Sequence, residues 1–117
     1  MIFVVEDDKV MAKCIMRACL GYDVRVFSNA IEAMGEISNN IIPELIFLDI
    51  MLDGPDGFTF LNELVSYTDT ANIPIVIVSS LDFDNVDLSI YGVVRVLNKD
   101  TMVPEDIKRY AKEYCGK

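Results

Sequence analysis

Short runs of consecutive apolar residues, many of them β-branched, recur along the chain at residues 2–5, 45–48 and 73–78. Runs of this length and composition are typical of strands that are buried on both faces, as they are in a parallel sheet. Two further runs, at residues 24–27 and 94–97, each carry one arginine and predict strands that are partly exposed. Because a buried parallel sheet must be covered by helices on both faces, these segments restrict the chain to an α/β fold.

The segments between these runs have the spacing of amphipathic helices. Apolar residues recur at i, i+3, i+4 and i+7 in three sets: Met11, Cys14, Ile15 and Ala18; Ala30, Ala33, Met34 and Ile37; Ile107, Tyr110, Ala111 and Tyr114. A similar pattern begins at Phe58, whereas segment 82–92 predicts only one or two helical turns. The prediction is therefore five βα units, a flavodoxin-like (βα)5 fold with a single doubly wound, five-stranded parallel sheet.

The exposure of the predicted strands indicates their order. If the three wholly apolar runs are central and the two arginine-containing runs lie at the edges, the strand order is 2-1-3-4-5. Right-handed crossovers then place helices on both faces of the sheet, and the winding direction reverses between the first and third strands. Ligands of such sheets bind beyond the carboxyl ends of the strands at that point.

Charge and composition exclude several classes of function. The 117 residues predict one domain over 1–117, with no effector domain visible. Ten basic and nineteen acidic residues give a formal net charge of −9, which argues against direct binding to nucleic acid or to an anionic membrane. The chain has no histidine, so histidine-dependent catalysis and histidine metal ligands are excluded. Since no segment predicts a signal peptide or a membrane span, we expect a cytoplasmic protein.

Polar side chains follow the predicted strands at their carboxyl ends. They are Glu6 and Asp7 after the first strand, Asp49 after the third, Ser79 at the end of the fourth and Lys99 after the fifth. Carboxylates held about 5 Å apart repel each other by roughly 3 kcal/mol at an effective dielectric constant near 20. Lys99 and a bound cation would offset this repulsion, and oxygen ligands suit Mg²⁺. Beside such an ion, Asp49 is a candidate nucleophile toward a phosphoryl group.

Taken singly, several of these residues also have structural explanations. Asp7 or Asp8 can cap the first helix, and Ser79 can belong to a loop. Asp53 and Asp56 are interpreted as turn residues before a helix, not as part of the site. The joint position of the polar residues at four strand ends is what favours a functional site.

Three segments resemble the motifs of response-regulator receiver domains, the phospho-accepting modules of two-component signalling. They are residues 4–8, 48–57 and 74–80, and Lys99 falls where the family has a lysine. The resemblance covers essentially the whole chain.

The resemblance implies roles for individual residues. It makes Asp49 the phosphoacceptor, and it implies that Ser79 and Lys99 contact the phosphoryl group. It implies that Mg²⁺ is bound by four groups: Glu6, Asp7, Asp49 and the backbone carbonyl of Met51. The phosphoryl donor would be a sensor histidine kinase or a histidine phosphotransfer protein. Such a module is not a stand-alone enzyme, since it catalyses only its own phosphorylation and slow dephosphorylation.

Some positions depart from the family pattern. Val96 stands where the family has an aromatic switch residue, Asp100 where a proline is usual, and Asp53 where a proline is common. Met51 and Leu81 are expected to flank the phosphoryl group. Because neither apolar side chain can position an attacking water molecule, we expect slow autodephosphorylation.

The resulting functional prediction is a switch in which phosphorylation alters a protein-interaction face. That face would comprise the helical turns of segment 82–92, the fifth strand and the last helix, and it could also support a homodimer. Output would pass to a downstream protein or to an effector domain outside this chain. Two alternatives remain, a degenerate receiver that docks without being phosphorylated and a small Mg²⁺-dependent phosphatase with an aspartate nucleophile. A flavodoxin-like FMN module is disfavoured, because the acids after the first strand would repel phosphate.

Overall fold

The computed structural model of the chain describes residues 1–51, 57–81, 83 and 87–116. Strands and helices alternate along the chain in the following order: β1 (Ile2–Val5), α1 (Lys9–Ala18), β2 (Val24–Phe27), α2 (Ala30–Ser38), β3 (Leu45–Leu48), α3 (Gly57–Val65), β4 (Ile75–Ser79), a 3₁₀ turn (Ser89–Tyr91), β5 (Val93–Asn98) and α4 (Pro104–Cys115). None of the described helices has the length and apolar character needed to cross a bilayer.

The five strands form one parallel sheet in the order β2-β1-β3-β4-β5, which confirms the predicted order. Every residue of β1, β3 and β4 is buried, because helices cover both faces of the central strands. The edge strands β2 and β5 are partly exposed, and their arginines Arg25 and Arg95 face solvent. The arginines therefore mark the edges, as their sequence context predicted.

Two apolar clusters lie on opposite faces of the sheet. One packs α2 and α3 against the sheet around Phe3, Ile46 and Phe60. The other packs α1 and α4 around Ile15 and Phe47. Because side chains alternate between the two faces along a strand, each strand contributes to both clusters. Because all the strands are parallel, their carboxyl ends lie at the same edge of the sheet.

Helix ends are set by local signals in the sequence. Asp8 caps α1, since its Oδ1 accepts hydrogen bonds from the backbone N–H groups of Val10 (2.9 Å) and Met11 (3.2 Å). Asn29 caps α2 by accepting from the Glu32 N–H at 2.9 Å. Of the two candidates for the helix cap, Asp7 and Asp8, the structure therefore identifies Asp8 as the cap.

Segment 82–92 contains, in its described part, the single 3₁₀ turn Ser89–Tyr91 in place of a longer helix. This agrees with its weak helical pattern, in which few apolar residues recur at helical spacing. The predicted turn at Asp53 and Asp56 lies outside the described residues.

Candidate functional site

The ends of β1 and β3 bring three carboxylates together. The two strands pair in register up to Val5 and Leu48, so the next residues, Glu6 and Asp49, lie side by side. The backbone N–H of Asp49 donates to the carbonyl of Val5 at 2.9 Å, which extends the sheet by one residue. One carboxylate oxygen each from Glu6, Asp7 and Asp49 all lie within 4.8 Å of one another. The sequence placed these acids at one edge, and the structure groups them there.

Lys99 follows the edge strand β5, and its side chain extends to this acidic cluster. Its backbone N–H donates to the carbonyl of Ser79 at 3.0 Å, so the pairing of β4 with β5 fixes its position. Its Nζ lies 2.7 Å from Glu6 Oε1 and 3.3 Å from Asp49 Oδ2. A single ammonium group therefore contacts two of the three carboxylates.

The electrostatics of the cluster follow from burial and crowding of like charges. Burial, first, and the neighbouring Asp49 carboxylate, second, raise the pKa of Glu6 from 4.5 to about 7, and Lys99 offsets only part of this increase. Burial alone would lower the pKa of Lys99, but Glu6 and Asp49 together hold it above its ordinary value. The amine therefore stays charged, while the acidic cluster carries more negative charge than one lysine can balance.

Ser79 and Met51 complete the edge of the sheet around Asp49. Ser79 is buried, and its Oγ accepts a hydrogen bond from the Leu81 N–H at 3.1 Å. This bond does not use the hydroxyl hydrogen, which remains able to donate. The N–H of Met51 donates to Asp49 Oδ1 at 3.0 Å and orients the carboxylate. The side chains of Met51 and Leu81 are 61 % and 44 % exposed, respectively.

Val96, at the position of the family's aromatic switch residue, is half-buried on the edge strand β5, whereas Asp100 is exposed. Val96 packs against the apolar cluster on the α2–α3 side of the sheet. A β-branched side chain in this position has few rotamers, so it cannot make the large ring rotation that an aromatic residue could make.

Gly57 is a site-supporting residue whose role the sequence analysis did not identify. A Cβ atom at this position would lie 2.6 Å from Ile50 Cα and 2.9 Å from the carbonyl oxygen of Asp49. The Gly57 N–H also donates to the Ile50 carbonyl at 2.9 Å. The first residue of α3 therefore packs directly on the backbone that carries Asp49. A glycine in a helical segment is only a weak sequence signal of such close packing. Glycine is a poor helix former, so its presence there suggests that a larger side chain would not fit.

The residues of the cluster fit a small divalent cation. All the side-chain donors are oxygens, and Mg²⁺ in proteins is bound by one or two carboxylates with several waters retained. Glu6 Oε1 is buried and accepts no hydrogen bond from the described residues, although Lys99 lies close to it. A buried carboxylate oxygen in this state is stabilised by a further cation, since Lys99 is the one positive group that contacts it within the described part of the chain.

Solved structures similar to this chain are response regulator receiver domains. The phosphorylated cyanobacterial phytochrome response regulator RcpA is 26% identical, with a TM-score of 0.81 over 98% of this chain and 93% of that one. The receiver domain of NtrX from Brucella abortus is 24% identical, with a TM-score of 0.82 over 97% of each chain. The Mn²⁺-bound form of response regulator Rcp1 is 21% identical, with a TM-score of 0.78 over 95% of this chain and 91% of that one.

Curated relatives are longer proteins that contain a similar segment. The sensor histidine kinase CheAY of Helicobacter pylori is 32% identical over 78 residues, which is 63% of this chain and 10% of that protein. The response regulator PleD of Caulobacter vibrioides is 42% identical over 41 residues, which is 35% of this chain and 9% of that protein. The chain thus spans about a tenth of the length of these relatives. Residues 2–111 match the family described as the response regulator receiver domain, and the chain belongs to that family of two-component signalling modules.

Proposed function

We propose that this receiver domain is a Mg²⁺-dependent switch that is phosphorylated on Asp49 by a histidine kinase or a histidine phosphotransfer protein. The observation that carries the proposal is the position of Lys99, whose amine contacts both Asp49 and Glu6. A cation fixed beside a carboxylate that is 4 % exposed is suited to balance the charge of an incoming phosphoryl group. In the proposed site, Mg²⁺ is held by Glu6, Asp7, Asp49 and the carbonyl of Met51.

In the proposed transfer, a carboxylate oxygen of Asp49 attacks the phosphorus of the donor's phosphohistidine. The new bond joins that oxygen to phosphorus, the phosphorus–nitrogen bond breaks, and the electron pair stays on the imidazole, which takes up a proton from solvent. Lys99 Nζ neutralises charge on the phosphoryl oxygens, and the Met51 N–H holds the second Asp49 oxygen in place. A Mg²⁺ ion held by the acidic cluster would supply further stabilisation of the negative charge of the phosphoryl group.

Ser79 is the residue through which phosphorylation would be read. Its hydroxyl donates to a phosphoryl oxygen in the proposed state, and the backbone of Leu81 moves with it because the Leu81 N–H is hydrogen-bonded to the same side chain. A shift of a two-state equilibrium from 1:99 to 99:1 takes about 5.5 kcal/mol. Two charge-assisted hydrogen bonds of about 3 kcal/mol each, or three of about 2 kcal/mol each, supply this free energy. The affected face is segment 82–92, β5 and α4, which is also the candidate homodimer face.

The test is phosphorylation with a small-molecule donor. The chain is incubated with acetyl phosphate and Mg²⁺, and intact mass spectrometry measures incorporation of one base-labile phosphate. We expect Asp49→Asn to abolish the adduct. Asp8→Asn is the matched control, because it makes the same chemical change on the helix cap next to the site and asparagine also caps helices well.

The alternatives give different results in the same experiment. A receiver that docks without phosphorylation would give no adduct and no response to Mg²⁺. A phosphatase would release many equivalents of phosphate without a persistent adduct. Phosphate retained by Asp49→Asn would place the acceptor elsewhere and reject the proposal.

A further inference from the structure

Helices α1 and α4 pack side by side on one face of the sheet, and each of them exposes three cations to solvent. The exposed cations are Lys9, Lys13 and Arg17 on α1 and Lys108, Arg109 and Lys112 on α4. Helix α1 contains no acidic residue, whereas the acids of α4 are Glu105, Asp106 and Glu113. Helices α2 and α3, on the other face, carry only acidic charges. Charge is therefore separated between the two sides of a molecule with a net charge of −9.

The spacing of the cations on this face lowers the stability of the helices that carry them. Lys9, Lys13 and Arg17 are spaced four residues apart, as are Lys108 and Lys112. Like charges at this spacing lie next to each other on a helix and destabilise it. Arg17, Lys108 and Lys112 form no ion pair with any residue in the described ranges. Their charge is thus available to a partner.

Helices α1 and α4 form a groove at one end of their contact. It has a volume of about 380 Å³ and is lined by Arg17, Ala18, Leu20, Tyr22, Lys108 and Lys112. We call it the basic groove. Leu20 is 89% exposed at its rim, and no acidic residue lines it. The groove therefore presents an apolar contact flanked by three cations.

We propose that the basic groove docks an acidic segment of a partner protein, one in which leucine-like side chains recur at helical spacing among carboxylates. The occupant is matched by charge complementarity and by the exposed Leu20. Arg17 lies eight residues along α1 from Lys9, or about 12 Å at 1.5 Å per residue, so the groove is separate from the acidic cluster at the start of that helix. This binding therefore goes beyond the proposed phosphorylation.

Other anionic occupants fit the molecule less well. A membrane surface or a nucleic acid extends well beyond the groove and would face the excess negative charge on the rest of the chain. A compact segment is different, because screening over about 8 Å at physiological salt limits its interactions to the nearby cations. A second copy of the chain would have to bring its acidic α2–α3 side to the groove. Such a contact is heterologous and would continue into a filament instead of closing.

The proposal is tested by nuclear magnetic resonance on the isotopically labelled full chain. The probe is a short synthetic peptide of glutamate with leucine at helical spacing. We expect the peptide to shift the amide resonances of residues 17–22 and 108–112, and added salt to weaken its binding. Lys112→Glu is expected to reduce the affinity by about tenfold, since it reverses a charge that lines the groove.

Arg95→Glu is the matched control, because it reverses one exposed charge on β5, outside the groove. It should change the affinity by less than about twofold if local charge governs binding. Both variants are also incubated with acetyl phosphate. Labelling at the level of the unmodified chain shows that a variant is folded. It also shows that a loss of peptide binding is independent of the phosphorylation proposal. The proposal is overturned if the peptide shifts no amide resonances or only resonances outside residues 17–22 and 108–112, or if the two variants change the affinity equally. It is also overturned if the chain binds duplex DNA or phosphatidylglycerol vesicles more tightly than the peptide, or if it forms filaments as its concentration rises.

Discussion

The carboxyl group of Glu6 is held where its negative charge is poorly solvated. The residue is 3% exposed and lies beside Asp49, and among the described residues Lys99 is the cation that pairs with both carboxylates. Its pKa in the folded chain is therefore raised to about 7, against an ordinary value of 4.5. Over the pH range between these two values, the folded state holds a proton that the unfolded state has lost.

This linkage predicts a pH-dependent stability in the absence of metal. The contribution of Glu6 is fully present below pH 4.5 and is lost as the pH rises through about 7. We expect the thermal midpoint of the chelator-treated chain to fall between pH 5.5 and pH 7.5, and this part of the decline to disappear in Glu6→Gln. Scanning calorimetry over that range measures the difference. Parallel curves for the two proteins would show that Glu6 does not titrate there.

We expect Met51 and Leu81 to govern how long a phosphoryl group on Asp49 lasts. Both side chains are exposed and apolar, and the backbone N–H of Met51 is bonded to Asp49 itself. Polar replacements, Met51→Asn with Leu81→Glu, can orient a water molecule for attack. We expect them to speed loss of phosphate by about tenfold or more. The decay is followed by intact mass spectrometry after removal of acetyl phosphate.

The control for the Met51 and Leu81 variant is Ile90→Asn. Ile90 is an exposed apolar residue in the 3₁₀ turn that precedes β5, at the opposite edge of the sheet. This change should leave the phosphate lifetime unaltered. A lifetime that stays constant in the double variant as well would remove the two residues from any role in hydrolysis.

At the scale of elements, the start of α3 is tied to the end of β3 through Gly57. Because the atoms that a Cβ would meet belong to the backbone of Asp49 and Ile50, they cannot move away cheaply. We expect Gly57→Ala to lower the free energy of unfolding by about 1–3 kcal/mol, as overpacking does in protein cores. It should also slow phosphorylation of Asp49. Urea denaturation and acetyl phosphate labelling measure the two effects.

Gly35 provides the matched control for Gly57. It lies in α2, and a Cβ at this position would meet no atom within 4 Å. Gly35→Ala should therefore raise the free energy of unfolding by about 0.5–1 kcal/mol, through the greater helix propensity of alanine. If both alanine variants stabilise the chain, the contact at Gly57 is looser than the structure indicates.

Elements differ in how well the sequence predicts them. The central strands were predictable because four or more apolar residues in succession have to be buried on both faces, and Arg25 and Arg95 identified the edges. The grouping of Glu6, Asp7 and Asp49 followed from the parallel topology. The close approach of Gly57 and the raised pKa of Glu6 did not, because both depend on packing between distant segments. Segment 82–92 was ambiguous since its pattern is too short to distinguish a helix from a 3₁₀ turn.

At the scale of the whole molecule, the acidic cluster and the basic groove depend on different parts of the fold. The carboxyl edge of the sheet gathers acids that follow β1 and β3 and a lysine that follows β5, so the site exists only when the four strands β1, β3, β4 and β5 are correctly paired. The basic groove depends instead on the packing of α1 against α4. Binding at the carboxyl edge therefore requires the paired sheet, whereas binding in the groove would require the packing of one helical layer.

The dependence of the site on the complete sheet predicts that Mg²⁺ stabilises the folded chain globally. Binding to the folded state alone adds about 2.7 kcal/mol at a metal concentration 100 times the dissociation constant. The thermal midpoint should rise accordingly in a Mg²⁺ series followed by calorimetry. Asp7→Asn should lose much of this increase because it removes one of three clustered carboxylates, whereas Asp8→Asn should retain it, since Asp8 caps α1. Equal stabilisation of the two variants would mean that Mg²⁺ acts by screening the charge of −9 and not at the site.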